Sequence, residues 1–267
     1  MGNEDYMAED GLLYCGNCRT KKETWVALPK LLGGDGTRKK VPCLCKCGTE
    51  RREEERKAEE ARQELLRIQM IKEASMMDVR YRDASFKNFR ITKDNKKAGA
   101  IAQKYALNFN SMFAGNQGLI FYGSVGTGKS FTAACIANYL LGRSVPVVMT
   151  SFVKILQRIQ EGNEQELMSA LMEAKLLILD DMGSERSTDF ALEKIYNVVD
   201  SRSRSTRPMI ITTNVSLDDM LTEPDIRYKR IYDRIFETCY PVEMPGESFR
   251  RIMAAERFDA MQKFMGG

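Results

Sequence analysis

The chain has no histidine, one tryptophan and seven prolines in 267 residues. Without histidine there is no imidazole to ligate a metal, to activate a serine or cysteine, or to change charge near neutral pH. No apolar run approaches the roughly 20 residues that a membrane-spanning helix needs, and mean hydropathy is −0.39. The opening stretch from Gly2 to Asp10 is acidic and polar, unlike the basic, then apolar, start of a secretory signal. These absences predict a soluble, cytoplasmic protein with no membrane partner. Net charge is only +4. A local surplus lies between Asp78 and Lys104, with eight Lys or Arg against three Asp or Glu. Such a stretch suits a phosphate backbone, an acidic partner or an ordinary solvated face.

Cysteine, by contrast, is concentrated. Five of the seven fall in the first fifty residues, at Cys15, Cys18, Cys43, Cys45 and Cys47. In a cytoplasmic chain this clustering indicates metal rather than disulfides. With no histidine, a zinc site must be built from thiolates. Five thiols are offered to a site that takes four, so Cys15 and Cys18 combine with two of the last three. A four-iron cluster is the alternative. The surrounding segment has too little apolar pattern to fold unaided. Cys135 and Cys239 are isolated, and Cys135, in the Lys129–Leu141 helix, reads as core.

The chain divides into a Cys-rich module (1–50), a charged helical linker (51–75) and a globular remainder (76–267). The linker is rich in helix formers, with Glu53 and Lys57 spaced for an ion pair one turn apart. Leu65, Leu66, Ile68, Met70 and Ile71 predict that its end packs on something. Ala98 to Phe109 reads as an amphipathic helix. Strands are expected at Gly118–Tyr122, Val145–Thr150, Ala174–Leu179 and Met209–Thr213. Helices are expected at Lys129–Leu141, Phe152–Ile159, Leu192–Ser201, Tyr228–Phe236 and Ser248–Phe264. Alternating strands and helices predict an α/β fold with a parallel sheet between helices.

Gly123–Ser130 reads GSVGTGKS and satisfies G-x-x-x-x-G-K-[ST] in full, after a strand and before a helix. Gly123, Ser124, Val125, Gly126, Thr127 and Gly128 form the phosphate cradle, with Phe131 next on the helix. Backbone N–H groups and the helix N-terminus face the phosphates. Lys129 reaches the β- and γ-phosphates, and Ser130 offers a hydroxyl to Mg²⁺. LLILDD at Leu176–Asp181 ends a buried strand with two carboxylates, which are costly there unless used. Asp180 is the expected outer Mg²⁺ ligand, and Asp181 is placed to orient or deprotonate water. Asn214, closing IITTN, suits a group that senses the γ-phosphate or the attacking water.

Together GSVGTGKS, LLILDDMGSE, the Arg202 segment running to MIITTN, and RIYDRIFETC resemble the AAA+ ATPase core. They are most similar to the DnaC/DnaI-type replicative helicase loaders, over about residues 80–255. The N-terminal Cys cluster and charged helix are similar to the phage and Gram-positive members with a zinc module. IstB transposition helpers share the same core. The resemblance implies that Arg234 reaches the ATP of a neighbouring subunit, with Arg230 second, and that Arg250 beside Arg251 touches the nucleotide of its own subunit. It favours Cys45 and Cys47 as the second pair of zinc ligands. It implies an ATPase that delivers a hexameric helicase to single-stranded DNA as a homo-oligomer. Candidate DNA contacts are Lys154 and Phe152, although core packing is the stronger reading of Phe152, and the stretch Lys87, Arg90, Lys93, Lys96 and Lys97 suits DNA or an acidic helicase surface. The competing functions are a transposase-helper ATPase and a zinc-dependent nucleic-acid-binding regulator.

Many AAA+ enzymes carry Asp-Glu where this chain has Asp180-Asp181. A base one methylene shorter is easily misplaced, and an ångström can cost orders of magnitude in rate. The purified chain alone is therefore expected to turn ATP over slowly, on the order of 1 per second or less. Steady-state phosphate release checks this, and a rate at the fast end of ordinary enzymes contradicts it.

Overall fold

The computed structural model describes residues 4–27, 37–75, 77–183 and 188–266. The chain forms two units, Met1–Leu66 and Arg67–Gly267. The first holds two antiparallel hairpins, β1 (Tyr6–Met7) with β2 (Leu13–Tyr14) and β3 (Glu23–Ala27) with β4 (Arg38–Pro42). Helix α1 (Lys46–Ala74) follows and runs into the second unit. Among the described residues of the first unit only Leu12, Cys15 and Cys45 are buried apolar positions. So small a core cannot by itself order the hairpins. Among the described residues of α1 the ion pair is Arg56–Glu60, at 2.7 Å, and not Glu53–Lys57. Leu65 and Leu66 are exposed, contrary to the packed end expected for this helix. Ile68, Met70 and Ile71 lie outside the residues whose side chains are described.

The second unit continues as α2 (Lys96–Leu107), α3 (Phe109–Ala114), β5 (Gly118–Tyr122), α4 (Lys129–Leu141), β6 (Val147–Ser151), α5 (Phe152–Gln160) and α6 (Glu164–Glu173). Then come β7 (Leu176–Met182), α7 (Asp189–Arg204), β8 (Met209–Thr213), α8 (Leu217–Leu221), α9 (Ile226–Thr238), β9 (Cys239–Glu243) and α10 (Phe249–Met265). Five strands make one parallel sheet in the order β6-β7-β8-β5-β9. The α/β expectation holds.

Period-2 geometry explains the continuous apolar runs. In β7, Leu176 and Ile178 pack with α2, α3 and α4, while Leu177 and Leu179 pack with α5, α6, α7 and α9. Leu119 and Phe121 of β5 face the first layer and Ile120 the second. Both faces are covered, so every strand reads apolar throughout. Phe152 is 1% exposed and belongs to this core, which removes it as a stacking surface for DNA.

Three elements depart from the expected pattern. The helix expected at Ala98–Phe109 ends at Leu107, and α3 starts afresh beyond Asn108. Helix α6 fills the interval after α5. Strand β9 contains Pro241 and lies at the sheet edge, where a residue without an N–H is tolerated.

One buried cation ties this sheet to its helices. Arg202 of α7 is 0% exposed. Its Nη1 donates to the carbonyls of Leu171 (3.0 Å) and Met172 (3.2 Å), and its Nη2 to those of Lys175 (3.2 Å) and Pro208 (3.0 Å). The first two carbonyls lie in the last turn of α6, which has no intrahelical donor for them. The other two precede β7 and β8. Burial pulls the guanidinium down to about 9, so it stays charged at neutral pH. Arg202→Met leaves the Leu171 and Lys175 carbonyls without a donor, while Met172 O keeps Arg207 Nη1 (2.9 Å) and Pro208 O keeps the Leu177 N–H (3.4 Å), and is expected to lower unfolding stability by about 3 kcal/mol. Urea unfolding checks this, with Arg202→Lys losing less.

Candidate functional site

The strands end in loops on one side of the sheet, where an open parallel sheet places its ligands. The loop after β5 is the glycine-rich turn. Gly123, Gly126 and Gly128 have positive φ. A Cβ on Gly126 would lie 2.1 Å from Ser248 Oγ, and one on Gly123 would lie 2.6 Å from Met244 O. Side chains are excluded there by backbone conformation and by contact. The Phe249 N–H donates to Gly126 O (2.9 Å) and the Met244 N–H to Tyr122 O (2.8 Å), so the loop is braced against the segment between β9 and α10. Thr127 Oγ1 donates to Ser124 O (3.0 Å).

Lys129 begins α4 and is 6% exposed. Its ammonium donates to Gly123 O (2.8 Å) and Ser124 O (2.6 Å). Burial lowers its pKa, Asp181 opposes that, and Arg250 adds to it.

The β7 carboxylates are organised by β8. Thr212 Oγ1 donates to Asp180 Oδ1 (2.7 Å) and accepts the Asp181 N–H (2.9 Å). Asn214 Nδ2 donates to Asp181 Oδ1 (3.1 Å). The β7–β8 register slips between Leu179 and Met182, and Asp181 has φ +57. Among non-glycine residues Asp and Asn best tolerate that conformation. The backbone thus supplies a physical reason for Asp at this position. Ser184 and Glu185 of the LLILDDMGSE motif lie outside the described residues.

Lys129, Ser130, Phe131, Asp180, Asp181, Asn214 and Arg250 line one cavity of about 590 Å³, together with Val125, Gly126 and Gly128. The remaining wall was not foreseen. It comes from the segment before α2, including Arg80, Tyr81, Phe89 and Arg90, and from Phe249, Met253 and Glu256. The Asn138 side chain on α4 pins that segment by donating to the carbonyls of Tyr81 (2.8 Å), Arg82 (3.1 Å) and Ala84 (2.8 Å). Gly99 was the available signal, because a Cβ there would lie 2.8 Å from the Phe89 ring. Arg90 contacts Glu256 Oε1 at 3.1 Å through both Nη atoms. Arg90 thus forms part of the cavity wall. A smaller cavity of about 200 Å³ beside Asp180 and Asp181 is lined by Arg80, Thr150, Ser151 and Lys154. Arg234 lies outside both cavities and pairs with Asp200 (2.9 Å) and Glu237 (3.0 Å).

In the first unit the Sγ atoms of Cys15, Cys18, Cys45 and Cys47 all lie within 4.8 Å of one another. Cys15 and Cys45 lie 3.5 Å and 3.4 Å from Cys47. A tetrahedral zinc–thiolate site, with bonds near 2.3 Å, brings sulfurs to about 3.8 Å, so these four residues fit one. Cys43 does not join them. It follows β4, its N–H donates to Lys22 O (2.7 Å) and its Sγ faces Lys21 O (3.5 Å). The C-x-C-x-C spacing concealed this because α1 begins at Lys46 and turns only Cys45 and Cys47 inward. The Cys47 N–H and the Thr20 hydroxyl hold the Cys18 thiol down to about 5, while hydrogen bonding with Cys45 pushes Cys47 up to about 12.

A parallel five-stranded sheet, a glycine loop with its lysine, and an acidic pair on the neighbouring strand define an AAA+-like P-loop ATP-binding domain. The chain belongs to the family of IstB-like ATP binding proteins, whose model matches residues 51–256. It is 28% identical over 162 residues to the replicative helicase loader DnaC of Escherichia coli (strain K12), covering 58% of this chain and 64% of that one. It is 32% identical over 143 residues to DnaC of Buchnera aphidicola subsp. Baizongia pistaciae, covering 51% and 57%. The chain thus spans less than two thirds of the length of these relatives. The fold is shared with a solved DnaI structure (TM-score 0.54, 23% identity, 65% of this chain and 94% of that one) and with the DnaC helicase loader (0.54, 22%, 63% and 100%). AMPPCP-bound DnaA from Aquifex aeolicus is also similar (0.53, 18%, 68% and 57%).

Metal analysis of the full chain is expected to find about one zinc per molecule, retained by Cys43→Ser and lost by Cys47→Ser. Zinc held equally well by Cys47→Ser contradicts the four-thiol assignment.

Proposed function

We propose that this chain is an ATP-dependent helicase loader, which delivers a hexameric replicative helicase to single-stranded DNA with ATP acting as a switch. The observation that carries this reading is the likeness to relatives named as replicative helicase loaders across the ATP-binding part. An IstB-type transposition helper would share the core, but those relatives favour the loader. The working compartment of such a protein is the cytoplasm. No described helix is long and apolar enough to cross a membrane.

In this reading the backbone of Gly123–Gly128 cradles the phosphates. Lys129 exchanges the Gly123 and Ser124 carbonyls for β- and γ-phosphate oxygens. Ser130 and Asp180 are the side chains to hold Mg²⁺, which when bound neutralises charge developing on the phosphates. Asp181, steadied by Asn214, orients the attacking water. Arg250 serves the nucleotide of its own subunit. Arg234, outside the cavity, is offered to a neighbouring copy in a homo-oligomer. Cys15, Cys18, Cys45 and Cys47 hold Zn²⁺ as a cross-link that stands in for a core.

Co-purification with the replicative helicase of the same source tests the reading. Wild type is expected to capture the helicase. Lys129→Ala is expected to stay folded, bind ATP about 10- to 100-fold more weakly and lose the nucleotide dependence of the complex. Failure of the wild-type chain to engage the helicase in any nucleotide state overturns the loader function.

A further inference from the structure

The second hairpin of the first unit presents a surface that neither the thiolate cluster nor the ATP site uses. Trp25 stands opposite Lys40, and Ala27 opposite Arg38. Opposed residues share a face and successive pairs alternate. Trp25, Lys40 and Arg38 therefore lie on one face. Val26 and Lys39 lie on the other. Trp25 is the sole tryptophan of the chain and is 45% exposed. The Lys40 ammonium sits 5.3 Å from its ring centroid and is held there by donating to Gly11 O.

The cations on the face of this ring are Lys40 and Arg38. Arg38 and Lys39 are exposed and pair with no carboxylate among the described residues. Glu23, at the far end of the same face, accepts the Leu13 N–H at 3.1 Å. Asp5 and Asp10 are taken by Lys22 and Lys21. In the first hairpin the Tyr6 and Tyr14 rings stack at 5.9 Å, with the Lys21 ammonium 5.7 Å from the Tyr14 centroid.

A half-exposed indole ring flanked by Lys40 and by Arg38, which meets no carboxylate among the described residues, matches the chemistry of an unpaired strand. Bases stack on the ring while phosphates meet the cations. A duplex keeps its bases stacked inside and leaves the ring without a partner. An acidic protein surface would engage the cations but gives the ring no π-face by necessity. We propose that the Trp25–Lys40–Arg38 face binds single-stranded nucleic acid. The proposal stands independently of the loader reading, and its test needs no helicase.

The test uses the full chain with its metal, titrated with oligo(dT) and oligo(U), while Trp25 emission and the anisotropy of a labelled strand are followed together. Because Trp25 is the sole tryptophan, its emission reports this hairpin even if the strand also binds elsewhere. The expected result is saturable quenching that weakens with salt. Trp25→Ala should weaken binding about tenfold, and Trp25→Phe should retain most of it. Arg38→Glu with Lys40→Glu should weaken it further and flatten the salt dependence by about one phosphate contact per cation removed. Zinc content and circular dichroism of each variant establish that it is folded. Oligo(dT) and oligo(U) acting alike supports a surface that reads base faces and phosphates, and a preference for one names the natural strand. Anisotropy showing a bound strand with Trp25 emission unchanged overturns the proposal. So does equal quenching by duplex, or the absence of any binding at low salt.

Discussion

A parallel sheet buried on both faces can carry polar side chains only where its strands end, and that constraint governs the ATP-binding unit. Each strand must be apolar along its length because helices cover either side. Chemistry is therefore confined to the loops and last residues at one edge. Lys129, Asp180, Asp181 and Asn214 come from three different strand–loop junctions, yet converge because β5, β8 and β7 are adjacent. The Thr212 hydroxyl makes that adjacency rigid. It receives the Asp181 N–H and donates to Asp180, so the carboxylates are positioned by the neighbouring strand as much as by their own. Arg202 performs a related task at the opposite ends of the strands, where it collects carbonyls that precede β7 and β8.

The two units are held together by different physics. The ATP-binding unit has an apolar core on each face of its sheet. Among its described residues the first unit has almost none, and four thiols drawn from a knuckle and from the start of α1 gather there instead. Thr20 links these parts, since its hydroxyl accepts the Lys46 N–H at 2.8 Å and lies 3.0 Å from Cys18 Sγ. The same small unit leaves its sole tryptophan exposed.

Much of the fold was legible because its signals are local. Gly118–Tyr122, Lys129–Leu141 and Met209–Thr213 match the expected bounds, each being a short apolar run or a helix set by the glycine loop. Thr212 was less legible, because its hydroxyl matters through a strand 31 residues away in sequence. The wall formed by Tyr81, Phe89 and Arg90 was hidden for the same reason. Nothing local to the basic stretch announces that its Arg90 pairs with Glu256, 166 residues later. Phe152 reads chiefly as a core residue, and tertiary packing bears this out. Pro241 disguised β9, since a proline argues against a strand everywhere but at an edge.

That edge has a consequence for how copies of the chain can associate. The outer strands of the sheet are β6 and β9. Pro241 removes a donor from β9. On β6 the Met149 N–H donates to Ser75 Oγ at 3.3 Å, so the residue following α1 occupies the free side of that strand. Neither border offers an uninterrupted row of backbone groups for another strand to join. Growth of this sheet by strand addition is thereby discouraged, and association through it falls to side-chain surfaces. Such surfaces can be remade as a ligand comes and goes, whereas a continuous sheet is slow to open.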